Sequence, residues 1–208
     1  MAKFLCILFF ILILSEGLCF SQDIPAITND GRKVVLKQDG TWKFYSATKQ
    51  SLTKNGDFQQ RPKESTSVFK AKGDKFQVWF NPLIWHQKKA DDSDKPTFVH
   101  KDGDIYAMVI AERFAMTPDA LKELAISNAQ NVAPDTQVTY EEDRIVNGKN
   151  VLCMKMAGTI QGVQFVYYGY YYAGKAGVVQ LITYTSQNLL SEYEADMTVF
   201  LNGLVVND

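Results

Sequence analysis

The stretch NGKNVLCMKMAGTIQGVQFVYYGYYYAGKAGVVQLITYTS, residues 147–186, decides the fold. Three runs rich in β-branched and aromatic residues, at 151–159, 163–173 and 178–185, alternate with Asn147-Gly148, Gln161-Gly162 and the glycine-bounded corner 174–177. Such pairs accept the positive φ that tight hairpin turns require. Consecutive strands joined by turns this short pair antiparallel, because a parallel return needs a long crossover. Strand 163–173 also reports on its surroundings. Val163, Phe165, Tyr167 and Tyr171 share one side of the pleat; Val166, Tyr168, Tyr170 and Tyr172 share the other. A sheet with one wet face alternates polar with apolar residues. Two aromatic faces therefore predict a central strand covered on both sides.

Working outward, residues 137–144 supply a fourth strand of the same meander. Before it, Thr117 is a hydroxyl N-cap, Pro118 takes the first helical position and Asp119 follows, so a helix starts there. Leu121, Leu124, Ala125, Asn128 and Val132 form its predicted apolar stripe, and Pro134 ends it. Residues 104–113 form a strand, and Phe76–Phe80 a shorter one stopped by Asn81-Pro82. Ile84 and Trp85 open an apolar turn, and 88–96 is a polar loop. A closing helix is expected at 192–202, with Ser191 and Glu194 as a capping box and Gly203 as its stop. Tyr193, Met197, Phe200, Leu201 and Leu204 make its apolar face. Strands, helix, four strands, helix is an α+β plan: an antiparallel sheet with helices packed on it.

From GDKFQVWFNPLIW to the C-terminus, this succession resembles the PsbP/Mog-like α/β/α sandwich. The features are a strand running into a Pro and Trp turn, a strand and helix, the quoted meander, and a closing helix ending in FLNGL. The resemblance implies a fold whose members mostly lack catalysis: photosystem assembly and extrinsic subunits, an import factor binding a small GTPase, and bacterial envelope proteins. It transfers no functional residue, since fold does not fix function.

The N-terminal third reads differently. Lys3 followed by FLCILFFILIL reads as a secretory signal peptide, 1–21, cleaved after Ser21. Its apolar run is far shorter than the roughly 20 residues a bilayer span needs. No stable membrane span is expected after cleavage. Residues 22–46 predict a small β-hairpin turning at Asp39-Gly40, with Trp42 as its contact residue. DGRKVVLKQDGTWKFY resembles a hairpin found after the signal peptides of many bacterial exported proteins. Residues 47–67, rich in Ser, Thr, Lys and Gln, read as a flexible linker, and 68–208 as the main domain.

Composition closes off several functions. A net charge of −1 argues against a nucleic-acid binder working by phosphate neutralisation. Of the three cysteines, Cys6 and Cys19 leave with the signal, so Cys153 has no intramolecular partner. Its mid-strand position reads as a buried, inert thiol. His86 and His100 flank an acidic loop bearing Asp91, Asp92 and Asp94, but the spacing matches no metal motif, and an ordinary solvated loop is expected. Glu141, Glu142 and Asp143 are consecutive, so only Glu141 and Asp143 share a face; they read as a charged edge strand rather than a catalytic pair. No cofactor is expected. The tyrosines of 167–172 read as core, or else as a binding surface, because Tyr is enriched at interfaces. On the second reading the candidate surface is Trp42, Trp85, Tyr168, Tyr170 and Tyr172.

These residues predict an exported, non-catalytic module, periplasmic or secreted, that binds another protein in a bacterial envelope. The hairpin and linker would act as tether or docking element. The alternative is a carrier of a small hydrophobic ligand or lipid, held in a pocket beneath Trp85 and the tyrosines. The third is a hydrolase working through its carboxylates.

Overall fold

The computed structural model describes residues 24–27, 33–37, 39–44, 58–71, 73–88 and 96–207. The signal segment and residues 47–57 of the expected linker lie outside them. The chain divides into two compact units, Met1–Gln50 and Ser51–Asp208.

The first unit is a three-stranded antiparallel meander of β1 (Ile24–Ile27), β2 (Lys33–Leu36) and β3 (Trp42–Phe44), in that spatial order. The sequence predicts only β2 and β3. Pro25 disguises β1, yet proline is tolerated on an edge strand, where its missing N–H costs no ladder bond. The predicted turn forms: Gly40 N–H donates to the Lys37 carbonyl at 3.1 Å, and Gly40 takes a φ of 76°. Asp39 Oδ1 accepts from the Thr41 backbone N–H and hydroxyl, at 2.8 and 2.5 Å. Those two bonds, the hydroxyl's first, lower the Asp39 pKa.

The second unit contains, in chain order, β4 (Phe58–Gln59), β5 (Ser67–Ala71), β6 (Phe76–Phe80), β7 (Trp85–Gln87), β8 (Thr97–His100), β9 (Tyr106–Glu112), α1 (Pro118–Val132), β10 (Gln137–Val146), β11 (Lys149–Ile160), β12 (Val163–Gly174), β13 (Gly177–Ser186), α2 (Leu190–Leu201) and β14 (Leu204–Val206). The main sheet has eight strands in the order β4-β10-β11-β12-β13-β9-β8-β7. All neighbours pair antiparallel except β4, which runs parallel to β10 through Phe58↔Ile145 and Gln59↔Val146. Asn147-Gly148, at φ 46° and 81°, and Gln161-Gly162, at 50° and 83°, close the meander's hairpins as predicted. A second sheet has the order β14-β6-β5.

Strand β12 is central and covered on both faces. Tyr168, Tyr170 and Tyr172 pack with Tyr193, Met197, Phe200 and Leu201 of α2 and with Phe76 and Val78 of the small sheet. On the other side Tyr171 packs with Met154, Met156 and α1. Each fully buried side chain of this size contributes about 1.5–3 kcal/mol, so four from α2 anchor that helix firmly.

Several expectations change. In α1 the buried seam is Leu121, Ala125 and Ala129, an i, i+4, i+8 line of mostly small residues. Leu124 and Val132 stay 37% and 60% exposed, because a helix lying close on a sheet buries a narrow stripe. Thr117 caps α1 as predicted, accepting from Ala120 N–H at 3.2 Å. The Ser191/Glu194 box does not form: a 3₁₀ turn at Gln187–Leu189 starts α2 earlier, and Glu194 instead accepts from Lys155 Nζ at 2.5 Å. Leu204 belongs to β14 rather than to the helix. Gly203 is required by close approach: a Cβ there would sit 1.8 Å from the Trp79 carbonyl oxygen. The end of the expected linker is structured. β4 pairs with β10, Arg61 N–H donates to Asn147 Oδ1 at 2.8 Å, and the Arg61 guanidinium lies 4.1 Å over the Trp79 ring. Its polar composition concealed contacts made to residues far along the chain. Among the described residues no helix is long and apolar enough to cross a membrane.

Candidate functional site

Trp85, Tyr168 and Tyr170 are each at most 2% exposed and Tyr172 is 8% exposed. The structure brings these four together in one core, beneath α2, rather than on a surface. The Trp85 ring sits 4.4 Å from Phe200 and edge-on to His100, which occupies the space assigned to an apolar pocket. Trp42 belongs to the first unit and is 56% exposed, beside its cross-strand neighbour Leu36 at 40%.

Five polar residues of this face form a hydrogen-bonded network. Arg144 of β10 donates to the Glu142 carboxylate, to the Tyr168 hydroxyl at 3.0 Å and to the Tyr170 hydroxyl at 2.9 Å. The Tyr170 hydroxyl donates to Asn202 Oδ1 at 2.8 Å. Burial opposes the charge on Arg144, but the neighbouring Tyr170, Cys153 and Tyr168 raise its pKa overall. Glu142 is 6% exposed, which corrects the solvated-edge reading: its partner lies two residues along its own strand, and β4 closes part of that edge. Glu141 is paired with Lys122 at 2.5 Å. Burial pushes the Cys153 thiol up to about 11, partly offset by Arg144. A protonated thiol is a poor nucleophile at neutral pH.

The two histidines part company. His100 pairs with Trp85 and His86 with Val99 across β7 and β8, so the imidazoles lie on opposite faces of the sheet. His100 is buried; its Nδ1 accepts from Asp102 N–H at 3.3 Å, and its Nε2 lies 3.4 Å from Asp196 without hydrogen-bond alignment. Among the described residues no cluster suited to a metal ion forms. Asp91, Asp92 and Asp94 lie outside them.

The unsealed part of the sheet is on the other face. Helix α1 lies over β11 and β12. The cluster under it takes in Val178 and Ile182 of β13, with Met108 and Ile110 of β9 packed against it; Tyr184, Tyr106 and Val99 are half-buried on the same face. Tyr106 and Tyr184 stack at 5.5 Å between centroids, and Tyr167 stands edge-on to Tyr184 at 5.9 Å. The Lys88 ammonium lies 5.3 Å from the Tyr106 ring centroid. Burial raises the pKa of Tyr167 and Tyr184, so their hydroxyls remain protonated hydrogen-bond donors. Sequence reasoning missed Tyr106 and Tyr184. The usable signal was the parity of Tyr167, which places it opposite Tyr168, joined to the strand neighbours that only the register supplies. A separate cleft of about 210 Å³ is polar, lined by Asp135, Gln137, Thr139, Thr159, Gln164 and Gln187 among others.

The sequence matches no protein-family model and no curated protein. Among solved structures, cyanobacterial PsbP (CyanoP) from Synechocystis sp. PCC 6803 superposes with a TM-score of 0.51 at 9% identity, over 69% of this chain and 94% of that one. The second unit has the PsbP-like fold. Mog1p, the Ran-binding protein of Saccharomyces cerevisiae, gives 0.43 at 8% identity, over 68% of this chain and 95% of that one. LpqN, described as involved in cell envelope biogenesis of Mycobacterium tuberculosis, gives 0.39 at 10% identity, over 91% and 92%. Identity this low transfers architecture alone. On the PsbP-like sheet of this chain, the face beside α1 carries the half-buried row Tyr106, Tyr184 and Tyr167.

Proposed function

We propose that this chain is an exported, non-catalytic interaction module of a bacterial envelope, and that it binds through the sheet face beside α1. The observation that carries the reading is the half-buried row Tyr106–Tyr184–Tyr167. Tyrosine offers a large apolar area, a hydroxyl and few rotamers to freeze, which suits a binding face. Export rests on the leader-like sequence 1–21. The other two readings find less support. Trp85 packs directly on Phe200 where a carrier would need a cavity, and Glu141 and Glu142 are neutralised by Lys122 and Arg144.

A photocrosslinking amino acid placed at Tyr184 in living cells tests the reading. Adducts are expected from Tyr184 and not from Val199, which is exposed on α2 at the opposite face. Equal labelling from both positions, or none from Tyr184, overturns it.

A further inference from the structure

We infer that the outer edge of β5 takes up an extended peptide segment of another protein as an added strand. This surface is separate from the tyrosine row: Phe69 and Ala71 of β5 pack against the core cluster under α2, on the opposite face of the main sheet. A sheet edge exposes unpaired N–H and C=O groups, and proteins blunt such edges by shortness, bulges, charge or cover. The second unit has four sheet edges, β4 and β7 of the main sheet and β14 and β5 of the small one. Three of them are blunted. β4 has two residues, and β10 beyond it is broken by a bulge between Val138 and Tyr140 and carries Glu141, Glu142 and Asp143. β7 has three residues, and its Trp85 N–H turns back to the Asn81 carbonyl at 2.9 Å. β14 also has three, and the Leu204 carbonyl on its outer side accepts from Asn147 Nδ2 at 2.7 Å. β5 has five residues, pairs with β6 without a bulge, and among the described residues has no such cap.

The register says which groups are open. Trp79 N–H donates to the Gly203 carbonyl, and the Lys75 carbonyl accepts from Asn207 N–H, so Lys75, Gln77 and Trp79 face β14. In an antiparallel ladder both groups of one residue point the same way, and its neighbours point oppositely. Val78 therefore turns to β5 and exchanges both bonds with its partner Phe69. Val68 and Lys70 are left with N–H and C=O aimed outward, and among the described residues these groups have no hydrogen-bond partner. Four such groups, on residues two apart, are the complement of one added antiparallel strand. The side chains of that strand are constrained as well. Residues opposite Phe69 and Ala71 would lie beside the half-buried Phe69 ring, itself edge-on to Phe98 at 5.9 Å, so apolar residues fit there. The residue opposite Lys70 lies on the other face beside its ammonium, which favours an acid. Lys70 already meets Asp74 at 2.9 Å, so the backbone bonds carry more of the recognition than this charge.

The peptide Thr-Val-Glu-Val-Thr-Val-Thr meets these demands with its glutamate opposite Lys70. Fluorescence anisotropy of the labelled peptide, with amide exchange followed by NMR, tests the inference on the chain as the expressing bacterium processes it. In the free chain the Val68 and Lys70 amides should exchange fast and that of Phe69 slowly. The peptide should bind saturably and slow exchange at Val68 and Lys70. N-methylation of its glutamate and of the threonine two places on removes the two donors aimed at β5, and should weaken binding about tenfold or more. Val68→Pro should do the same while leaving the far-ultraviolet spectrum unchanged, since proline is tolerated where an edge N–H faces solvent. Lys70→Glu should weaken binding about threefold, and a peptide with lysine in place of its glutamate should recover the loss; this exchange decides the matter if the proline variant misfolds. Absence of saturable binding overturns the inference, as does binding indifferent to N-methylation and to the charge exchange. Slow exchange at Val68 and Lys70 in the free chain also overturns it, because the edge would then be filled by this chain itself or by a second copy of it.

Discussion

The two faces of β12 start from the same chemistry and end differently. Its even-numbered tyrosines, Tyr168, Tyr170 and Tyr172, are sealed by α2 and the small sheet. Its odd-numbered Tyr167 stays half-buried at the margin of α1, in line with Tyr184 and Tyr106. The cause lies in the covering layers. Helix α2 brings Tyr193, Met197, Phe200 and Leu201, and β6 adds Phe76, Val78 and Phe80. Helix α1 buries one leucine and two alanines; with them it covers Met154, Met156, Tyr171, Val178 and Ile182 but leaves Tyr167 half-buried. An aromatic strand therefore says that cover is available to be used, while the bulk of the opposing layer decides how far cover extends.

Substitutions can break or sharpen that contrast. The largest effect is expected from Phe200→Ala, which empties the space between Trp85, Phe80 and Phe98. It should cost about 3–5 kcal/mol of unfolding free energy in urea; a loss as small as that of a surface change would show that the sealed face is not the core. Arg144→Met comes next, at about 3 kcal/mol, because it removes the cation paired with the buried Glu142 carboxylate. Glu142→Gln in the same chain should recover part of that loss, and a wholly additive pair would disprove the coupling.

Alkali should then act on the sealed face. The Cys153 thiol has an ordinary value of 9.0 and is pushed up to about 11 by burial. Between those values the folded chain holds a proton that the unfolded chain has lost, so stability falls as pH rises through the window. The fall attributable to Cys153 is at most about 2–3 kcal/mol, and Cys153→Ala should flatten the slope in urea titrations from pH 9 to 11. The smallest effect on folding belongs to the open face. Tyr184→Ala should cost about 1 kcal/mol yet abolish association. Stability loss on the scale of Phe200→Ala would mean that the face is core after all.

Much of this was legible in the sequence, and the residues show why. Asn147-Gly148 and Gln161-Gly162 announce their turns because few residues tolerate left-handed backbone. Thr117-Pro118 marks the start of α1 by local hydrogen bonding alone. Ser191 and Glu194 mislead because the same local signal yields to Lys155, a residue distant in sequence that claims the glutamate. Pro25 conceals β1, and the polar run before Val68 conceals β4, because pairing to another strand is not encoded nearby. The candidate tyrosines Tyr168, Tyr170 and Tyr172 lie on the face that α2 covers, which their strand's parity alone does not tell. Tyr106 and Tyr184 joined the row only through the registers Tyr106↔Tyr184 and Tyr167↔Tyr184.

The amino-acid sequence by itself determined the antiparallel meander, the two helices and the need for cover on both sides of β12. These follow from φ preferences, capping and the two-residue side-chain period, all of which act within a few residues. Tertiary structure alone decided that α2 and the small sheet seal one face while α1 leaves the other partly open. It also decided that Arg144, Glu142, Tyr168, Tyr170 and Asn202 meet. Such outcomes depend on how much volume each layer sets against the sheet and on which strands lie side by side, quantities that exist only once distant segments have packed.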